Sequence, residues 1–238
     1  MVTQLFLRAI EVRNKPNEFH TFPFCLPIIN NLERLTFNKP VTFFIGENGS
    51  GKSTLLEAMA IAMRFNPEGG SKNFSFSTQD SHSNLYQYIT PIRGASFPKD
   101  GYFLRTESFY GLSTEIDELC VNDYYGGSSL HQRSHGEGIL SLLSNRLYGN
   151  GLYLFDEPEC ALSPMGLFKL LRLIHELVEN NSQLIIATHS PIILAYPHAE
   201  IYEFKDSQIT SIAYKDSDIY HLYQRFLNDD SFLNQLLA

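Results

Sequence analysis

Gly46-Glu47-Asn48-Gly49-Ser50-Gly51-Lys52-Ser53 decides how this chain is read. It fills every fixed position of G-x-x-x-x-G-K-[ST]. Glycines in that order let successive backbone N–H groups turn inward around an anion with no Cβ in the way. A short β-branched and aromatic run, Val41 to Ile45, precedes the octet, and a run of good helix formers, Thr54 to Met63, follows it. Strand, glycine loop and helix together aim the positive end of a helix at the anion. The loop therefore predicts a phosphate cradle of Asn48, Gly49, Ser50, Gly51, Lys52, Ser53 and Thr54. In it the Lys52 ammonium reaches the β- and γ-phosphates, serving binding and catalysis alike, and the Ser53 hydroxyl ligates Mg²⁺.

Two more apolar runs end in polar groups. Leu152-Tyr153-Leu154-Phe155 leads into Asp156-Glu157, and Leu184-Ile185-Ile186-Ala187 leads into Thr188-His189-Ser190. Buried strands seldom end in adjacent acids without a cation nearby. Beside a phosphate loop, Asp156 is the expected Mg²⁺ partner, and Glu157 is placed to polarise a water at the γ-phosphate. His189 leaves its strand at the same carboxyl edge of the sheet, where ligand sites form in such folds, and can bond the γ-phosphate or orient the water. The plain structural readings are two solvated acids opening a loop, with Pro158 ending the strand, and an ordinary polar histidine.

The rest of the chain supplies the context. Leu5 to Val12 reads as an edge strand, Tyr102 to Arg105 as a strand, Ser108 to Leu119 as a helix, and Asn122 to Gln132 as a loop. His135 to Tyr148 and Leu167 to Val178 carry helical apolar stripes. Ile201 to Phe204 and Ile209 to Ala213 read as a terminal hairpin, and Asp218 to Leu227 as a closing helix. Asn66 to Pro98 is rich in Ser, Asn, Gln, Gly, Pro and aromatics, and reads as irregular with small antiparallel strands. Apolar strands alternating with helices predict an α/β fold with a mostly parallel sheet flanked by helices.

The chain has 238 residues, 43% hydrophobic and 18% charged, enough for one large globular α/β unit. Its formal net charge of −8 gives no bulk attraction to phosphate backbones, and no Lys/Arg-rich run supplies a local one. Cys25, Cys120 and Cys160 are scattered without C-x-x-C, so they read as reduced thiols in a cytoplasmic protein. Met1 to Glu11 lacks the basic-then-apolar order of a signal peptide, and no apolar run approaches the roughly 18 residues of a membrane span.

Taken in order, the octet, the φ-φ-D-E-P run and the T-H-S segment resemble the ABC ATPase superfamily. Within it, D-E-P-E-x-x-L-S-P at Asp156 to Pro164 is similar to soluble RecF-like and OLD-like ATPases more than to transporter subunits. The resemblance implies one ABC-type P-loop NTPase domain over residues 1–238, with reduced antiparallel and helical lobes between residues 66 and 135. It also implies ATP and Mg²⁺ as ligands, with each ATP sandwiched between two protomers of an ATP-dependent homodimer. In that arrangement Ser134, Gly136 and Glu137 form the signature segment facing the partner's nucleotide, with His135 in place of a glycine. Ser134-His135-Gly136-Glu137 is equally an S-x-x-E capping box, and the two readings are compatible. Ser163 occupies the D-loop position, where many members carry aspartate, and Pro164 suits the first turn of a helix. Glu107, then Gln87, are the candidates for the Q-loop position. Cohesin-like members carry a long coiled-coil insertion, for which this chain has neither room nor heptads.

Two functions follow. The first is Mg²⁺-dependent ATP hydrolysis that drives or licenses a partner, with Lys52, Glu157 and His189 as the catalytic set and Ser53 and Asp156 as the metal set. The second is a slow nucleotide-gated interaction module regulating a partner protein or a DNA-associated complex. A transporter subunit is disfavoured by the D-E-P-E run and the short middle segment.

Overall fold

The computed structural model describes residues 5–16, 20–71, 83–119, 121–125 and 127–237. The strands are β1 (Leu7–Val12), β2 (Arg34–Thr36), β3 (Val41–Gly46), β4 (Gly70–Ser71), β5 (Ile89–Arg93), β6 (Asp100–Arg105), β7 (Gly151–Asp156), β8 (Gln183–Ala187), β9 (Glu200–Lys205) and β10 (Gln208–Ile212). The helices are α1 (Pro27–Asn31), α2 (Lys52–Ala62), α3 (Phe109–Glu118), α4 (His135–Arg146), α5 (Pro164–Glu179), α6 (Pro191–Leu194), α7 (Asp218–Asn228) and α8 (Asp230–Leu237).

A large sheet runs β10-β9-β3-β8-β7-β6-β4, and a small one runs β2-β1-β5. The centre of the large sheet, from β9 to β6, is parallel, and the outer strands β10 and β4 pair antiparallel. Register fixes what meets at the carboxyl edge. Phe44 and Asp156 both pair with Ala187, and Arg105 pairs with Asp156. The exits of β3, β7 and β8 therefore converge on one line. This is the mostly parallel, helix-flanked α/β sheet that the alternation of apolar runs predicts.

All six residues of β7 and all five of β8 are buried, as expected for parallel strands covered on both faces. Phe43, Ile45, Tyr153, Phe155 and Ile186 point into a core shared with α3, α4, α5 and α6. Phe44, Leu152, Leu154 and Ile185 point into a second core shared with α2 and the small sheet. Each such side chain contributes about 1.5–3 kcal/mol by leaving water. Leu55, Leu56, Ala58, Met59 and Ala60 of α2 are all buried, because this helix lies between the two sheets.

Gln183 ties the sheets together. Its carbonyl oxygen accepts the Phe6 and Leu7 N–H groups at 2.9 Å each, and its amide group donates to Leu7 O at 2.8 Å. This one buried side chain at the start of β8 thus anchors the entry to β1, 176 residues earlier.

Several sequence expectations change. The Leu5–Val12 run is not an edge strand: β1 is the middle strand of the small sheet, between β2 and β5. The three residues of β2 and the proline-containing β5 give too little pattern to announce that pairing. Asn122–Gln132 contains two 3₁₀ turns, Asn122–Tyr125 and Leu130–Gln132. The helix from Asp218 does not close the chain, because α8 follows it. Part of the irregular Asn66–Pro98 segment, residues 72–82, and Cys120 lie outside the described residues. Cys25 and Cys160 are free thiols. Among the described residues, no helix is long and apolar enough to cross a membrane.

Candidate functional site

The octet leaves β3 and enters α2 as predicted. Gly51 caps α2 with φ +99°, Gly49 sits at +78° and Gly46 at +142°. A Cβ on Gly46 would stand 2.5 Å from Phe204 O, so this position has neither the backbone freedom nor the space for a side chain. Lys52 is buried, and its ammonium donates to Gly46 O at 2.8 Å and Glu47 O at 2.9 Å, both within its own loop. Burial lowers its pKa, against the pull of Glu157, Asp156 and Glu159. Ser50 Oγ is buried with no hydrogen-bond partner among the described residues, although it lies in the loop built to hold an anion. Thr54 follows in the first turn of α2.

Across the edge, the Ser53 hydroxyl donates to Asp156 Oδ1 at 2.9 Å. Burial raises the Asp156 carboxyl from 3.8 to about 6; Glu157 adds to the rise and the Ser53 hydrogen bond opposes it. A hydroxyl beside a carboxylate that needs a counter-charge is the hard-oxygen donor set that suits Mg²⁺. Among the described residues no group of three or more His, Cys, Asp or Glu could hold a metal alone. Mg²⁺ is typically held by one or two carboxylates with phosphate and water completing its shell. The residues present therefore fit the ion.

Glu157 sits at φ +48°, a left-handed conformation that costs a non-glycine residue about 1–3 kcal/mol. Its N–H donates to Ala187 O at 3.0 Å, and its carbonyl accepts the Thr106 hydroxyl at 2.9 Å. Thr106 also bonds Asp156 O at 2.9 Å, so one side chain at the end of β6 pins the backbone of both acids. The Glu157 carboxylate accepts the Cys160 thiol at 3.1 Å, and burial and Glu157 push that thiol up to about 12, keeping it a donor. His189 Nε2 stands 3.7 Å from Glu157 Oε1 and is buried without a hydrogen-bond partner among the described residues. Burial and Lys52 lower the His189 pKa, so the neutral imidazole prevails at neutral pH. Ser53, Thr106, Glu107, His135, Asp156, Glu157 and Cys160 line a cleft of about 500 Å³ along this edge.

The fold thus brings together the octet, Lys52, Ser53, Asp156, Glu157 and His189. Ser134, Gly136 and Glu137 lie at the start of α4, whose first residue, His135, lines the same cleft. There the capping box is formed in both directions: Ser134 Oγ accepts the Glu137 N–H at 3.4 Å, and Glu137 accepts the Ser134 N–H at 3.2 Å. Gly136 packs so closely that a Cβ would lie 2.3 Å from Ala161 O. Ser163 caps α5 by accepting the Gly166 N–H at 3.2 Å, and Pro164 is its first residue. Glu107 lines the cleft beside Asp156, whereas Gln87 is exposed in a 3₁₀ turn outside it. Sequence reading missed Thr106, Glu159 and Cys160. The second acid of D-E-P-E was the available signal for Glu159; an isolated threonine or cysteine gives none.

Residues 18–102 match a family described as "AAA domain", and residues 137–195 match one described as "AAA domain, putative AbiEii toxin, Type IV TA system". The energy-coupling factor transporter ATP-binding protein EcfA1 of Fusobacterium nucleatum is 29% identical over 165 residues, 61% of this chain and 61% of its own length. The ABC transporter G family member STR2 of Medicago truncatula is 24% identical over 63% of this chain, which spans only 24% of that relative. The structure of cbiO1 from Clostridium perfringens, part of the ABC transporter complex cbiONQ, aligns with TM-score 0.50 at 15% identity, over 99% of this chain and 100% of that one. The two matched segments carry the glycine loop on one side and the acidic edge with His189 on the other. Octet, acidic edge and fold agree with these matches: the chain has a P-loop fold and is similar to AAA-family domains in two segments, with ABC ATPases among its relatives.

Proposed function

We propose that this chain binds ATP with Mg²⁺ and hydrolyses it, with two protomers closing on two ATP molecules to drive or license a partner. One observation carries the reading. Lys52, Ser53, Asp156, Glu157 and His189 converge on one sheet edge, with Ser53 Oγ and Asp156 Oδ1 2.9 Å apart and Ser50 Oγ and His189 Nε2 without hydrogen-bond partners among the described residues. The phosphates displace the Gly46 and Glu47 carbonyls from the Lys52 ammonium and take the inward N–H groups of the loop. Ser53 and Asp156 would hold Mg²⁺, which supplies charge neutralisation on the phosphate oxygens. Glu157 accepts a proton from the attacking water, and neutral His189 donates a hydrogen bond to the terminal phosphate or holds the water in line. Ser134 and the N–H groups at the start of α4 face the partner's nucleotide, in an exposed position that suits an interface.

Four assignments belong to this proposal: one ATPase domain over residues 1–238, the reduced lobe at 66–135, a cytoplasmic location, and kinship with soluble RecF-like and OLD-like ATPases. The D-E-P-E-x-x-L-S-P run supports the last. Exposed Leu222, Phe226, Leu227, Leu236 and Leu237 on α7 and α8 favour a second reading, in which hydrolysis is slow and nucleotide state gates contact with a partner protein. Hydrolysis assays of wild type and Glu157→Gln separate the possibilities. Wild type should release phosphate only with Mg²⁺, and the variant should bind ATP but turn over at least about 100-fold more slowly. Undiminished hydrolysis by the variant removes Glu157 from its role. Dimerisation by ATP alongside very slow wild-type turnover selects the gated module.

A further inference from the structure

Glu159 lies in the turn between β7 and α5, a place where a charged side chain is ordinarily free to reach solvent. Instead its Oε1 accepts the Thr188 hydroxyl at 2.7 Å and the His189 backbone N–H at 2.6 Å. These donors are 29 and 30 residues further along the chain, on the exit of β8. Thr188 is fully buried and in turn accepts the Ser190 N–H at 3.0 Å. Glu159 Oε2 is buried and has no hydrogen-bond partner among the described residues. Holding a carboxylate this way costs desolvation of an oxygen that no hydrogen bond repays, offset only through space by the Lys52 ammonium. Buried groups left unsatisfied in a native fold point to a functional demand.

That demand is visible two residues earlier. Glu157 Oε1 and His189 Nε2 approach to 3.7 Å without a hydrogen bond, and neither side chain holds the other. Glu157 is fixed from its own side by Thr106, Cys160 and the bond to Ala187 O. The His189 ring has no comparable contact, and its backbone is fixed by Glu159. We propose that Glu159 is a positioning residue, which straps the His189 segment to the turn carrying Glu157 and so sets the separation between carboxylate and imidazole. The inference rests on the ATP-hydrolysis reading above and adds to it a residue that acts through the His189 backbone. A displacement of about 1 Å at a reacting group can cost on the order of 100-fold in rate, which is the scale of effect a strap controls.

The test is a double-mutant cycle on the full chain: kcat by phosphate release and ATP affinity by calorimetry for wild type, Glu159→Ala, His189→Ala and the double variant. Expected is a kcat loss of about 10- to 100-fold for Glu159→Ala with ATP affinity held within about twofold, and a double variant no slower than His189→Ala. Glu159→Gln, which keeps a carbonyl oxygen for Thr188 and His189, should recover most of the rate. Should Glu159→Ala fail to fold, Glu159→Asp supplies the comparison: one methylene shorter, it should fold yet lose kcat. Losses that multiply in the double variant, or wild-type kcat in Glu159→Ala or Glu159→Asp, overturn the strap while leaving the ATPase reading standing. A wild type without Mg²⁺-dependent turnover overturns both.

Discussion

The two ends of the parallel sheet each carry a largely shielded acid, a cation and a hydroxyl, and they are finished differently. At the amino end, Asp100 is saturated. It accepts Arg146 at 3.0 Å, the Tyr153 hydroxyl at 2.8 Å and the Tyr148 N–H at 3.3 Å, and the Arg146 guanidinium lies over the Tyr102 and Tyr148 rings. At the carboxyl end, among the described residues, Ser50 Oγ, Glu159 Oε2 and His189 Nε2 have no hydrogen-bond partner, and the Lys52 ammonium donates to its own loop. A closed network of this kind stabilises and specifies a fold; open valences in one cluster mark where a ligand completes the bonding. An acid, a cation and a hydroxyl occur at both ends, and the Tyr102 hydroxyl near Arg146 also lacks a partner among the described residues, so what separates site from scaffold is the clustering of open valences around a glycine loop.

The comparison can be broken most forcefully at its closed end. Asp100→Ala strands Arg146 in a site where both side chains are mostly shielded, and should cost about 3–5 kcal/mol in urea unfolding. The folded fraction should keep wild-type ATP affinity, because the network lies across the sheet from the loop. Next comes Gly46→Ala at the open end. With its Cβ 2.5 Å from Phe204 O and φ at +142°, the loop must shift; a loss of about 2–3 kcal/mol in stability is expected, with weakened nucleotide binding by calorimetry.

Asp156→Asn should act in the opposite direction on stability. The folded carboxyl titrates at about 6, above its ordinary 3.8. Its neutral form is therefore favoured in the fold, a contribution fully present below pH 3.8 and lost as pH rises through about 6. A permanently neutral asparagine escapes that loss. Its advantage over wild type should open between those two values and be complete above pH 6, at about 1–3 kcal/mol in thermal unfolding without nucleotide. Mg²⁺-dependent binding should be lost at the same time. Smallest is Ser134→Ala, which removes one helix cap and should cost about 1 kcal/mol in stability. A fall in turnover far beyond that, with ATP binding intact, would support the role facing the partner's nucleotide.

The sequence made the octet, the acid pair and His189 legible because each follows a run of buried apolar residues that announces a strand. Register then had to bring them together, and it did so through pairings, such as Asp156 with Ala187, that continuous apolar strands permit without specifying. The small sheet was illegible for the opposite reason. β2 has three residues, and β1 is held by Gln183 from 176 residues away, so no local period records the arrangement. Thr106 and Cys160 were silent because each acts through bonds that only the folded chain makes. Ser134 stayed ambiguous because a capping box and an anion site use the same hydroxyl.

The most direct test of the central claim is calorimetric titration of ATP into wild type and Lys52→Ala, each with and without Mg²⁺. The account predicts binding to wild type that weakens at least about tenfold when either the ammonium or the metal is withdrawn, in line with the about 1.5–3 kcal/mol of a charged hydrogen bond. Equal affinity in all four titrations would contradict it.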